Sequence, residues 1–302
     1  MIRQSLSLSS LLILAACGGS APTDPGPPPD IKLDQANKAG TQALSMDLPS
    51  VAVRQYKVAL TRAYERDDAG AIGDVAYNLA LAQMKAGDPK AAIATAREAR
   101  AELDRRRATV PAELILVQAA AAYRSGDLGA ATGAAQEVIE RGSTDPDVVP
   151  RAWFIRGLVA ADRSDAAGLA QAIAALPPAK QADIEADRQE LQGRAALLAG
   201  DSSGALGLFE QSAGNRQQAL DYRGMARALS LAGDAALRSG RSANAADFFL
   251  RAGRSALLQG DRTMAAPLLK RAEDLGKQTG QASIVEEVSR LRKVAVAQPA
   301  GT

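Results

Sequence analysis

A short corner motif recurs along this 302-residue chain and constrains its fold more than any other feature. Gly87-Asp88-Pro89, Gly126-Asp127, Ser164-Asp165, Gly200-Asp201, Gly240-Arg241-Ser242 and Gly260-Asp261 share one chemistry. The first residue takes the left-handed backbone that ends a helix, a conformation glycine adopts at no steric cost. The aspartate or serine that follows caps the next helix by accepting from its free N–H groups. Pro89 falls at a first helical position, where its missing donor is no loss. Counted from Gly87, the first spacings are 39, 38, 36 and 40 residues, and Gly260 and Gly280 lie 20 and 40 beyond Gly240.

Between the corners the chain reads as helix. Alanine, the strongest helix former, fills 66 positions, and no stretch alternates apolar and polar residues as a strand would. Pro49, Pro89, Pro111, Pro150 and Pro177-Pro178 mark helix starts and stops, and Pro267 is expected within the first turns of its helix. The expectation is an all-α chain, an α-solenoid of antiparallel helix pairs over residues 34–297. Residues 34–47 read as a weaker opening helix. Residues 282–296 read as a capping helix with a polar outer face of Glu286, Glu287, Arg290, Arg292 and Lys293.

The register within each unit resembles the tetratricopeptide repeat. Tyr77-Asn78-Leu79-Ala80, Gly87-Asp88, Ala92-Ile93 and Ala99 carry the likeness. Trp153, Gly157 and Leu169 repeat it, as do Gly193, Gly200-Asp201, Ala205 and Phe209, and then Gly233, Gly240, Ala245, Phe249 and Ala252. The unit around Ala119, Gly126-Asp127 and Ala131 is weaker, with Gln118 where leucine is usual. The resemblance covers roughly 70–276, with a spacing longer than the family's usual repeat. Small residues such as Ala80, Gly157, Gly193 and Gly233 would let paired helix axes approach, and Phe209 and Phe249 would fill the gap to the next pair.

The resemblance implies a concave face lined by the first helix of each pair. That face would hold Tyr77, Asn78, Leu81, Met84, Lys85, Tyr123, Phe154, Leu158, Arg194 and Arg238, and bind protein. Only Asn78 and Lys85 fit the family's clamp for a terminal carboxylate, so that clamp is rejected. The groove reads as apolar and aromatic, suited to an amphipathic helix or an extended apolar segment. Trp153 is expected in the core.

The N-terminus carries an address. Arg3 precedes the apolar run 6–14, and Leu14-Ala15-Ala16-Cys17 looks like a bacterial lipobox. The expected organisation is a signal peptide at 1–16, a lipidated Cys17 and Pro-rich spacer at 17–33, the helical domain, and a disordered tail at 298–302. Gly18 stands where an inner-membrane retention aspartate would, so the expected site is the outer membrane, facing the periplasm. In layout the chain resembles envelope-assembly lipoproteins of the pilus, secretin or outer-membrane type.

Composition narrows the chemistry. No histidine is present, which removes the commonest general base and zinc ligand, and the single cysteine is the one in the lipobox. Asp67-Asp68 and Glu286-Glu287 are sequence neighbours that diverge on a helix, and no glycine-rich loop follows a strand. With 36 basic and 34 acidic residues the chain lacks the excess charge that nucleic acid requires. The expectation is a non-enzymatic scaffold without cofactor or metal, whose partners are envelope proteins and, through lipid, a membrane. The alternative is a glycan or peptidoglycan receptor or a regulator of a cell-wall enzyme.

Overall fold

The computed structural model describes residues 28–176 and 178–297, with side chains to 293. The signal peptide, Cys17, most of the spacer and the tail fall outside the described residues. Among the described residues fourteen helices follow one another: α1 (Ile31–Ser45), α2 (Pro49–Glu65), α3 (Ala69–Lys85), α4 (Pro89–Arg105), α5 (Ala112–Arg124), α6 (Leu128–Arg141) and α7 (Val148–Asp162). Then come α8 (Ala166–Ala174), α9 (Ala182–Leu198), α10 (Ser202–Gln218), α11 (Tyr222–Arg238), α12 (Ser242–Leu258), α13 (Arg262–Gln278) and α14 (Ala282–Ala297). No strand occurs among the described residues. Successive helices pack side by side as antiparallel pairs, so the chain is an α-solenoid.

The corners follow one rule. At the α3–α4 corner, the Asp88 N–H donates to the Gln83 carbonyl at 2.9 Å and the Gly87 N–H to Met84 at 3.2 Å, the pattern that closes a helix on a left-handed residue. The Asp88 carboxylate then accepts from the Ala91 N–H at 2.9 Å. Asp68, Asp127, Asp165, Asp201, Asp221 and Asp261 cap their helices in the same way. The sequence reading found only part of this series. Asp47, Asp67, Arg107 and Leu220 also hold positive φ, between 52° and 57°, and supply corners without glycine. The spacing of about 40 is therefore two helix-and-corner units of about 20 residues each.

Pairing depends on small residues opposite large ones. Gly40 of α1 lies under the Tyr56 ring of α2, Gly193 of α9 under Phe209 of α10, and Gly233 of α11 under Phe249 of α12. In each pair a Cβ on the glycine would stand 2.6 Å from the ring. Where the pair carries alanine on both sides, as at Ala80 and Ala96, the axes close up without an aromatic, and both residues are buried. Trp153, expected in the core, is only half-buried and packs on the edge of the apolar cluster of α7–α9.

Two expectations need correction. The helical domain begins at Ile31 rather than Asp34, because Asp30 caps α1 through the Leu33 N–H and binds Arg62 at 2.7 Å and Arg66 at 3.2 Å. These cations and the capped amide hold the Asp30 carboxyl well below the usual range. The opening helix is accordingly a full partner of α2. Pro267 is the sixth residue of α13, within its first two turns as expected, where it removes the bond that would run to the Thr263 carbonyl. At the far end α14 does cap the stack: Ile284 and Val288 are buried while Glu286, Arg290, Arg292 and Lys293 face water.

The two halves stack differently. From α3 to α9 the first helix of each pair touches the first helix of the next, whereas from α9 to α13 the strong contacts run between sequence neighbours. The short α8 stops before Pro177-Pro178, which disfavour helix in the residue ahead of them. Around that break a separate apolar cluster, with Phe154, Leu158, Leu169 and Leu191, joins the two larger cores.

Candidate binding surface

The inner side of the stack is held by an ion network that begins on α9. Asp187 and Glu190 are three residues apart and share one helix face, and both are buried. Arg216, in the last turn of α10, donates to Asp187 at 2.7 Å and to Glu190 at 3.0 Å, and also pairs with Asp221 at 2.8 Å. Arg227 of α11 binds Glu190 at 2.9 Å, and Arg194 binds it at 3.2 Å. Arg194 also reaches Asp162 at the end of α7, and Asp162 accepts from the Tyr123 hydroxyl of α5 at 2.8 Å. One polar chain therefore links α5, α7, α9, α10 and α11.

Its electrostatics separate the two buried carboxylates. Burial pushes Asp187 up to about 6; Arg216 opposes that rise, and Glu190 adds to it. Burial presses on Glu190 as hard, but Arg227, Arg216 and Arg194 together outweigh it and hold that group down at about 2. Arg216 gains from both carboxylates, so its pKa is raised despite burial. Below these ions lies Phe154, with the Arg216 and Arg227 guanidiniums 5.7 and 5.8 Å from its ring centre.

The concave side is also crossed by the chain itself. Arg223, in the first turn of α11, donates to the Lys85 carbonyl at 2.8 Å, across 138 residues of sequence. Arg124 at the end of α5 donates to the neighbouring Met84 carbonyl at 3.3 Å. Cations are thus placed on the exposed carbonyl end of α3, where the helix dipole favours them.

These contacts revise the expected groove. Met84, Phe154 and Leu158 are buried in the core and offer no surface to a partner. Asn78 is spent on Asn37 of α1, at 3.4 Å. Tyr77 and Leu81 are half-buried, and burial together with Glu113 pushes the Tyr77 phenol up. Tyr123 and Arg194 belong to the ion network. Lys85 and Arg238 remain exposed, the first at the crossing and the second at the far end of α11. The inner side is thus ionic where an apolar lining was expected.

Sequence reasoning missed Asp187, Glu190, Arg216, Arg227, Arg124 and Arg223. One signal was available: α9 shows no apolar stripe, yet it carries two acids at i, i+3 and an arginine at i+4 from the second. Among the described residues, no group of three or more acidic or cysteine side chains could hold a metal ion. No described helix is long and apolar enough to cross a membrane.

No family model and no curated protein matches the chain. Among solved structures it is similar to a tetratricopeptide repeat protein from Parabacteroides merdae, at 14% identity and a TM-score of 0.50, covering 86% of this chain and 99% of that one. Weaker likenesses are to the TPR2AB domain of yeast Sti1 in complex with pHSP90 and to MamA protein. The first has 16% identity, a TM-score of 0.37 and coverage of 87% and 98%; the second has 17%, 0.34, and 74% and 92%. The Parabacteroides likeness is one of fold: paired helices stacked into a solenoid.

Proposed function

We propose that this chain is a lipid-anchored scaffold of a bacterial envelope, held on the outer membrane and facing the periplasm, where its helical stack brings proteins together. The observation that carries this reading is the run Leu14-Ala15-Ala16-Cys17 with a proline-rich spacer directly ahead of a solenoid. Acylation of Cys17 would supply an anchor worth ~0.8 kcal/mol per buried CH₂, and two or more chains would make it lasting. The spacer supports a tether, since Pro-rich segments are stiff and extended. The solenoid supports scaffolding, since stacked pairs expose long faces at little cost in core.

Fractionation of cells making the wild-type and Cys17→Ala chains tests the anchor. The wild type should pellet with outer membranes and take up labelled palmitate, and the variant should appear in the soluble periplasm. A variant that still pellets ends the lipid-anchor reading. Crosslinking in intact cells tests the scaffold: a wild-type chain that joins no envelope protein ends that part.

A further inference from the structure

Where α11 crosses to α3, three cations gather at the carbonyl end of one helix. Arg124 and Arg223 each donate to a backbone carbonyl, and neither forms an ion pair among the described residues. The Lys85 side chain stands exposed beside the carbonyl that Arg223 binds. The nearby Arg227 is already engaged by Glu190. These cations strain against one another: burial, then Arg227 and Arg223, push the Arg124 pKa down, and Asp221 and Asp261 offset only part of that.

The same two aspartates locate the apolar half of the patch. Asp221 closes the α10–α11 corner, two residues before Arg223, and Asp261 closes the α12–α13 corner; both are near enough to act on the Arg124 charge. Those corners carry Leu220, Tyr222 and Leu258, which are 70%, 47% and 74% exposed. Leu220 also sits at φ 57°, a left-handed position that disfavours a bulky side chain. Three exposed large apolar side chains thus sit on corners near this basic cluster.

We propose that this patch docks an acidic polypeptide segment studded with apolar residues. Its carboxylates meet Lys85, Arg124 and Arg223, and its apolar side chains cover Leu220, Tyr222 and Leu258. Charge complementarity selects an acid, and the exposed leucines require more than a bare anion. This inference rests on the scaffold reading and names the partner's chemistry.

The test uses the full mature chain, kept soluble by Cys17→Ala, and a labelled, C-terminally amidated peptide that alternates glutamate with leucine. Binding followed by fluorescence anisotropy should weaken as salt is added. Lys85→Glu with Arg124→Glu should weaken it by about tenfold or more, the scale of close charge pairs. Leu220→Gly should weaken it by about threefold or more, through lost apolar contact, while leaving the helical signal intact and the melting temperature no lower. Equal binding of a glutamine-leucine or an all-glutamate peptide overturns the proposal, as does binding to phosphatidylglycerol vesicles in place of the peptide. A wild-type chain that crosslinks to envelope proteins but ignores the peptide overturns this inference alone. A chain that does neither overturns the scaffold reading as well.

Discussion

Phe209 rests on Gly193 so closely that a methyl group at 193 would stand 2.6 Å from its ring. The ring is fully buried and borders the apolar core of the second half. Gly193→Ala should therefore destabilise the fold by ~1–3 kcal/mol, the usual cost of overpacking. Gly207, on α10, meets nothing within 4 Å of its would-be Cβ. Gly207→Ala should stabilise by ~0.5–1 kcal/mol, because glycine weakens a helix interior. Thermal melts of the two variants should move in opposite directions.

The left-handed Leu220 offers a second stability test. A side chain there costs ~1–2 kcal/mol relative to glycine, and Leu220 is too exposed to recover much through packing. Leu220→Gly should raise the melting temperature by a few degrees. A lower melting temperature would mean that the corner is supported by contacts of this side chain.

Glu190 carries three guanidiniums in a site without water access. Removing it leaves like charges buried together. Glu190→Ala should cost ~3–5 kcal/mol, the range for breaking a buried ion pair. Glu190→Gln keeps the acceptor and should cost less. Urea titration separates the two, and equal small losses would mean that the network adds little to stability.

Asp187 gives a pH signature with an unusual sign. Its folded pKa is raised, to about 6, so the folded state binds the proton more tightly than the unfolded chain does. Stability from this group is greatest when it is protonated and declines as pH rises from the unfolded value through about 6. Glu190 and Asp221 have lowered values, so their losses come at lower pH. Between about pH 6.5 and 5 the wild type should gain ~1–2 kcal/mol over Asp187→Asn, given 1.36 kcal/mol per pKa unit. Denaturant midpoints that keep a constant gap across this range would assign the shift elsewhere.

The repeated corners made the fold legible, because a left-handed residue and an aspartate cap are local features. The reading failed where Asp47, Asp67, Arg107 and Leu220 hold the same backbone without glycine, so those corners went unseen. The inner surface was less legible for a different reason. Glu190 finds Arg216 and Arg227 at 26 and 37 residues' distance, on two other helices. Arg223 finds Lys85 at 138. Family register placed Phe154 and Leu158 on the open side. It carried no information about the packing across α7–α9 and the arginines of α10 and α11 over Phe154, which cover them.

The crossing between α3 and α11 has a consequence for how the molecule comes apart. An open solenoid frays from either end, since each repeat answers only to its neighbours. A bond between repeats so far apart turns the intervening helices into a ring, which loses its members together. Opening should therefore pass through one concerted step for α3–α11, while α1–α2 and α13–α14, outside the ring, exchange their amide protons first.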